Sequence, residues 1–238
     1  MAEIDLRVFL SPESEIPPDV LFRVQAEEED SAGEKSSKTI GAHRLILGVV
    51  SPVFRKMFFG LMKETSEVID VKETTAEAFE AMITYIYKPL NGEEDIFNIS
   101  QIQCPQKLFE LLALAEKYQI LKLFTLTSEA LNSLAITREN MIFTATVANK
   151  YKTAFEDVAT NLLVRCFKFL VVSDGGDVCE LIRRTVDSFP GANLDILREL
   201  IDVGYTFLKL PNPGTLSRPG YIIDSMKTSY RLGQVGLL

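Results

Sequence analysis

Apolar and polar residues alternate along two short segments near the start of the chain. A period of two is typical of half-buried β-strands. The apolar members are Ile4, Leu6 and Val8 in the first segment and Val20, Phe22 and Val24 in the second. A polar stretch over residues 27–38 follows, and Thr39 and Ile40 then resume a short strand. The pattern therefore predicts a β-hairpin with a long tip.

The spacing of apolar residues becomes helical after Gly41. AHRLILGVV predicts a short buried helix that ends near Ser51. Ser51 followed by Pro52 predicts a second helix, because serine caps helix N-termini and proline needs no N–H at the first helical position. That helix runs to about Gly60, and EVIDV after it predicts another strand.

Helical patterns dominate from residue 74 onward. The sequence TTAE at residues 74–77 is a capping box, in which Thr74 caps the next helix and Glu77 reaches back to it. Pro105 opens a further helix, which ends at a tight break near Gln119 and Ile120, and LKLFTLTSEALNSL continues as another.

Residues 137 to about 208 are also predicted to be helical. Thr137 caps one helix, and TAFE at residues 153–156 is a second capping box. Two more helices are expected over residues 177–189 and 193–208, before a tail from Pro211 whose prolines and glycines predict irregular structure. We place a domain boundary near residue 135.

Composition narrows the classes of function. Hydrophobic residues make up 47% of the 238 residues and charged residues 24%, a globular balance, and the net charge is −8. An acidic chain without a basic patch is not expected to bind nucleic acid. No apolar run is long enough to span a membrane, and the acidic N-terminus is unlike a signal peptide. Three widely spaced cysteines, Cys104, Cys166 and Cys179, favour reduced thiols in the cytoplasm or nucleus.

The sequence holds little catalytic chemistry. Its single histidine, His43, is a candidate general base, but it has no recognisable nucleophile beside it, and a structural role at a strand-to-helix junction is favoured. A zinc site needs four ligands, SDGGD at residues 173–177 lacks phosphate-loop spacing, and EEED lacks calcium-loop spacing. We therefore predict no enzymatic activity, no cofactor and no metal.

The order of these elements resembles a BTB/POZ domain. The similarity spans residues 16–134 and rests on AHR-x-x-L, S-P-x-F-x-x-M-F, Y-I-Y and L-L-x-L-A-x-K-Y in sequence. The following segment, ITRENMIFTATVANKYKTAFEDVATNLL, is similar to the helical BACK region. The resemblance implies an α+β BTB/POZ fold, a small sheet flanked by helices, followed by an all-helical region. The expected divisions are an N-terminal arm (1–15), the BTB/POZ domain (16–134), a BACK-like region (135–210) and the tail (211–238).

The resemblance also implies a function. Such proteins homodimerise and often recruit a cullin scaffold, so we expect a non-catalytic adaptor that links a substrate protein, still unidentified, to a cullin-based ubiquitin ligase. The alternative is a dimerising scaffold, for example in transcriptional regulation, that does not bind a cullin. Neither membrane nor nucleic acid is an expected partner.

Family motifs place the partner surface after the second helix, where an apolar-x-Glu element is Met62-Lys63-Glu64. The residues implied as partner contacts are Phe58, Phe59, Leu61, Met62, Glu64 and Tyr87. Because Phe54, Met57 and Phe58 recur at helical spacing, a core position is the stronger alternative for them, and the two alternatives are balanced for Phe59 and Met62.

Two further sets of residues come from the same resemblance. Leu6 and Val8 on the first strand and Leu45 and Val49 on the first helix are implied as dimer contacts. Asp19 and Arg44 match positions that form a partly buried charged pair in many BTB dimers; ordinary exposed charges are the alternative.

Overall fold

The protein is described by a computed structural model over residues 16–29, 35–61, 63–87 and 99–173, together with Phe9, Ile196, Leu200 and Val203. Three predicted segments lie outside these residues: the first strand apart from Phe9, the helix over residues 177–189, and the tail from Pro211. From the helix predicted over residues 193–208, Ile196, Leu200 and Val203 are helical and buried.

Three strands form one small sheet in the order β2-β1-β3. They are β1 (Val20–Glu29), β2 (Lys35–Ala42) and β3 (Val68–Val71). β1 and β2 are antiparallel, with Val20 opposite Ala42, whereas β1 and β3 are parallel, with Leu21 opposite Val68. The tip predicted over residues 27–38 is wrong in extent, since backbone pairing continues to Glu29 and Lys35 despite the polar side chains.

Seven α-helices lie within the described residues. They are α1 (Arg44–Val50), α2 (Pro52–Phe59), α3 (Ala76–Ile86), α4 (Pro105–Lys117), α5 (Leu121–Ser133), α6 (Met141–Tyr151) and α7 (Glu156–Ser173). The predicted break between α4 and α5 is confirmed: Gln119 adopts a left-handed φ of 52°, and the Ile120 N–H donates to the Ala115 carbonyl at 2.8 Å. Together with the sheet, these helices confirm the α+β class.

An aromatic cluster joins the sheet to the helices. Phe22 of β1 lies 5.0 Å from Phe79 and 5.9 Å from Phe54, measured between ring centroids. Phe54 stacks on Tyr118 at 4.2 Å. These rings come from β1, α2, α3 and the end of α4, so their burial fixes the positions of four elements at once.

The start of α2 is capped as the sequence predicts. The Ser51 hydroxyl accepts a hydrogen bond from the Phe54 N–H at 3.1 Å and donates one to the Tyr118 carbonyl at 2.6 Å. Ser51 is fully buried. One side chain therefore caps α2 and also anchors it to the end of α4.

The cap of α3 is Thr75, so the prediction of Thr74 is wrong by one residue. The Thr75 hydroxyl accepts from the Ala78 N–H at 3.3 Å and donates to the buried carboxylate of Glu110 at 2.6 Å. This tertiary contact from α4 selects the second threonine. It also places Glu77 one position too early for the reciprocal bond of a capping box.

The two helices of the C-terminal half begin later than predicted. Thr137 and Asn140 exchange side-chain hydrogen bonds in a turn ahead of Met141, where α6 begins. The N–H of Phe155 still donates to the Tyr151 carbonyl, so α7 begins at Glu156 and Thr153 is not its cap.

The chain divides into two compact units, residues 1–133 and 134–238. The first contains the sheet and α1–α5; the second contains α6 and α7, which pack against each other. The division lies beside the predicted boundary at residue 135.

Candidate functional site

Helices α1 and α2 form a closely packed pair. A Cβ atom on Gly48 of α1 would lie only 2.8 Å from the Phe59 ring of α2, so glycine is what lets that ring lie against α1. From α2, Arg55 donates to the Gly48 carbonyl at 2.8 Å and to the Val49 carbonyl at 3.1 Å. These two carbonyls stand at the end of α1, where no following helical turn supplies an N–H donor, so the bonds from Arg55 satisfy them.

The pair exposes several large apolar side chains. Leu45 and Val49, four residues apart on one side of α1, are 68% and 61% exposed, and the Phe59 ring beside Gly48 is 56% exposed. We call these three residues the α1–α2 face. Contiguous exposed apolar surface is typical of interaction sites, whereas isolated apolar residues are common on any protein.

The segment from Gly60 to Glu67, between α2 and β3, is called here the contact loop. Leu61 within it is fully exposed. The Glu64 N–H donates to the Met57 carbonyl at 2.7 Å, and the Glu64 carboxylate accepts from the Ser66 N–H at 2.8 Å. Ser66 donates hydrogen bonds to the Glu64 carboxylate from its side chain and from its backbone N–H. Both bonds lower the pKa of Glu64, and the side-chain bond has the larger effect. The Glu64 carboxylate is therefore engaged within the loop.

Two of the residues implied as partner contacts are not on the surface. Phe58 is 3% exposed and stacks on Phe54 at 5.8 Å, and Tyr87 is fully buried. Both side chains therefore lie in the core, which for Phe58 is the alternative that helical spacing favoured, whereas Tyr87 stands at the C-cap of α3. Phe54 is likewise buried, and Met57 is half-buried.

Tyr87 instead pairs with the single histidine. Its hydroxyl oxygen accepts from the His43 backbone N–H at 2.7 Å and lies 2.9 Å from His43 Nδ1, while His43 Nε2 lies 3.2 Å from the Ile16 carbonyl. All of these groups are satisfied when the hydroxyl donates to Nδ1 and Nε2–H donates to Ile16. Burial raises the pKa of Tyr87 above its ordinary range. This arrangement is structural: it joins β2 to the end of α3.

Asp19 and Arg44 are adjacent, and within this single chain their contact is from backbone to side chain. The Asp19 carboxylate accepts from the backbone N–H of Arg44 at 2.8 Å. The Arg44 guanidinium donates instead to the carbonyls of Glu64 and Ser66, at 3.2 and 2.7 Å. It also lies over the Phe58 ring, 5.4 Å from the centroid. The backbone donor at the start of α1 satisfies the carboxylate, which leaves the guanidinium directed at the contact loop.

Three implied residues lie outside the described residues: Leu6 and Val8 of the dimer set and Met62 of the partner set. Two residues of this site, Gly48 and Arg55, are not among those predicted from the sequence. A glycine within a helical segment of seven residues is a signal of close approach by another element, and it was available from the sequence. Nothing in the sequence indicated that Arg55 bonds backbone carbonyls.

The described residues bring together no group of three or more metal-ligating side chains. Cys166 is buried, which raises the pKa of its thiol to about 12, so it carries little thiolate at neutral pH. Within the same residues, no helix has the length and apolar character needed to cross a membrane.

Comparison with known proteins gives relatives with the same kind of domain. The chain is 32% identical over 137 residues to a BTB/POZ domain-containing protein of Arabidopsis thaliana, covering 57% of this chain and 37% of that protein. It is 32% identical over 116 residues to BTB/POZ domain-containing protein 9 of Homo sapiens, covering 48% and 18%. BTB/POZ and MATH domain-containing protein 3 of Arabidopsis thaliana is 32% identical over 97 residues, covering 40% and 24%.

The chain thus spans well under half the length of these relatives. The model of the BTB/POZ domain family matches residues 12–134, just over half of the chain and nearly the whole first compact unit. BTB/POZ domains are protein-interaction domains, which agrees with the exposed apolar side chains of the α1–α2 face beside the hydrogen-bonded contact loop. The chain belongs to the BTB/POZ family, because the family model matches residues 12–134 and they form a three-stranded sheet with helices.

Proposed function

We propose that this BTB/POZ protein is a non-catalytic adaptor that self-associates and links substrate proteins to a cullin-based ubiquitin ligase. The family supports a role in protein–protein interaction. The observation that carries the proposal is the exposure of Leu45, Val49, Phe59 and Leu61 on adjoining segments. Each apolar side chain of this size contributes about 1.5–3 kcal/mol when a partner covers it, and a few such anchors can dominate an interface.

Self-association is assigned to the α1–α2 face, together with Leu6 and Val8. A stable two-fold dimer should bury about 2,000 Å² or more. We expect light scattering at micromolar concentration to give twice the chain mass of 26.7 kDa. A Leu45→Glu/Val49→Glu variant should give the monomer mass, since two charges would be buried in an apolar interface.

The matched control for that variant is Leu121→Glu. Leu121 is 79% exposed on α5 and is not one of the three residues of the α1–α2 face, so its charge should leave the mass unchanged. A wild-type mass of 26.7 kDa at micromolar concentration would rule out the proposed dimer. Deleting residues 1–12 should weaken the dimer if Leu6 and Val8 contribute to it.

Cullin binding is assigned to the contact loop, with Leu61 and Met62 as apolar anchors. Met62→Glu should weaken affinity for the N-terminal region of a cullin by about a hundredfold or more, while the melting temperature stays near that of wild type. Leu121→Glu again serves as the control. Unchanged affinity in a folded Met62→Glu protein would remove this loop from the mechanism.

The second candidate is a BTB scaffold that dimerises in transcriptional regulation or another assembly without a cullin. The α1–α2 face favours it equally, because self-association alone would account for those three side chains. Affinity purification of the intact protein separates the two candidates: a co-purifying cullin supports the adaptor, and its absence alongside a stable dimer supports the scaffold.

We also propose that the second compact unit is a BACK-like extension that helps present a substrate, and that the protein acts in the cytoplasm, the nucleus or both. The support is the pairing of α6 with α7 and the similarity of their sequence to the BACK region. Deleting residues 135–238 should then abolish substrate capture and leave self-association intact.

A further inference from the structure

Arg44 connects the start of α1 to the contact loop. Its Nη1 donates to the Glu64 carbonyl at 3.2 Å and its Nη2 donates to the Ser66 carbonyl at 2.7 Å. Its own position is fixed twice, by the Asp19 carboxylate on its backbone N–H and by the Phe58 ring against its guanidinium. The planar guanidinium presents several donors in a rigid fork, which suits two nearby carbonyls better than the single ammonium of lysine does.

Glu64 holds the same loop from inside. Its N–H is bonded to the Met57 carbonyl of α2, and its carboxylate accepts the Ser66 N–H. At the end of the loop, the backbone carbonyl of Glu67 accepts a hydrogen bond from the Leu21 N–H of β1 at 2.8 Å. The second half of the contact loop is therefore attached to α1, α2 and β1, while Leu61 in its first half is fully exposed.

We propose that Arg44 and Glu64 are positioning residues: they fix the shape in which the contact loop presents Leu61 to a partner, and Glu64 acts through its acceptor oxygen rather than through its charge. The expected effect on partner binding rests on the proposed cullin-binding function. The reason is that bonds to the backbone of one short loop restrict its conformations before the partner arrives, so less order has to be gained on binding.

The first test removes the Arg44 bonds. Arg44→Met keeps an unbranched apolar stem over Phe58 but has no donor, and Arg44→Lys keeps the charge without the fork. We expect Arg44→Met to speed amide hydrogen exchange at Glu64 and Ser66 by about tenfold or more, and to weaken affinity for the cullin N-terminal region by a similar factor. Arg44→Lys should give an intermediate result in both measurements.

The matched control is Arg23→Met. Arg23 is an exposed arginine on β1 that pairs with Asp70 of β3 at 3.5 Å, so the same change removes the same charge without removing a bond to the contact loop. It should leave both the exchange at Glu64 and Ser66 and the cullin affinity as in wild type. Affinities are compared at a temperature where every variant is folded by circular dichroism, which separates positioning from a general loss of stability.

The second test separates the acceptor from the charge. Glu64→Gln keeps an oxygen that can accept from the Ser66 N–H, and Glu64→Ala does not. We expect Glu64→Gln to bind the cullin region within about threefold of wild type and Glu64→Ala to lose about tenfold. Equal losses in both variants would mean that the charge itself contacts the partner, and would overturn the role given to Glu64.

Wild-type exchange and affinity in a folded Arg44→Met protein would overturn the role given to Arg44. If wild-type protein does not bind the cullin region, the proposed function fails. The exchange measurements then still decide whether Arg44 and Glu64 hold the loop, since they need no partner.

Discussion

The buried hydroxyl of Ser51 shows how one side chain can set the positions of two helices. We expect Ser51→Ala to lower the free energy of unfolding by about 1–3 kcal/mol, because α2 loses its cap and the Tyr118 carbonyl loses its donor. Urea denaturation measures the change. Thr125→Ala is the control: that hydroxyl is exposed and bonds only the Leu121 carbonyl, so the expected loss is below about 0.5 kcal/mol. Equal losses would show that the tertiary bond of Ser51 adds nothing.

Two buried phenols make the folded protein sensitive to alkali. Burial raises the pKa of Tyr118 from 10.0 to about 12 and raises the pKa of Tyr87 as well. The folded state favours the neutral phenol. The contribution of the buried phenols to the free energy of unfolding is therefore complete below pH 10 and is lost as the pH rises toward 12. For Tyr118 alone the loss should be roughly 2 kcal/mol.

Denaturation at several alkaline pH values tests this expectation, with tyrosinate absorbance as the titration signal. In Tyr118→Phe the stability should fall less steeply over the same range, since one ionisable group is gone while the ring stacked on Phe54 remains. Identical slopes in wild type and variant would contradict the role given to Tyr118.

At the scale of elements, the closeness of α1 and α2 depends on Gly48. Gly48→Ala gains about 0.5–1 kcal/mol of helix propensity, but its Cβ needs the space held by the Phe59 ring. Because that ring is half exposed, it can swing outward. We therefore expect a change in stability of less than about 1 kcal/mol and weaker self-association by light scattering.

The control for Gly48→Ala is the double variant Gly48→Ala/Phe59→Leu, in which the smaller side chain removes the overlap. It should be at least as stable as Phe59→Leu alone. A Gly48→Ala protein that self-associates like wild type would show that the position of Phe59 does not matter to the α1–α2 face.

The elements also show what the sequence could and could not predict. Local patterns were sufficient for the existence of β1–β3 and α1–α7, though not for all of their ends, and for the cap at Ser51 and the break at Gln119, because those features depend on neighbouring residues. Tertiary contacts decided the rest. Glu110 from α4 moved the cap of α3 from Thr74 to Thr75, and the Arg44 guanidinium of the single chain bonds carbonyls of the contact loop. Helical spacing favoured a core position for Phe58, which is buried, but it left the two alternatives balanced for Phe59, which is 56% exposed.

At the scale of the whole molecule, the two compact units suggest a simple dissection. We expect a fragment of residues 1–133 to fold alone, because the aromatic cluster, the sheet and α1–α5 all lie within it. Circular dichroism should show one cooperative thermal transition, and the fragment should keep the self-association of the full chain. An unfolded fragment would mean that the second unit is needed to complete the first core.

The sheet order has a consequence for the time course of folding. In β1, Leu21 lies opposite Gly41 of β2, which follows across a hairpin, and opposite Val68 of β3, which follows only after both short helices. Closing the longer segment costs more chain entropy, so β3 should join last. Val71→Ala, at a buried position of β3, should then speed unfolding and leave the refolding rate nearly unchanged in stopped-flow measurements.

A growing or partly folded chain would accordingly lack the contact loop in its final shape, since that loop ends where β3 begins. Its attachment to β1, through Glu67 and Leu21, belongs to the same late event. If the proposed function holds, completion of the sheet would act as a quality check, because only a fully folded chain would present Leu61 in the shape that the cullin binds.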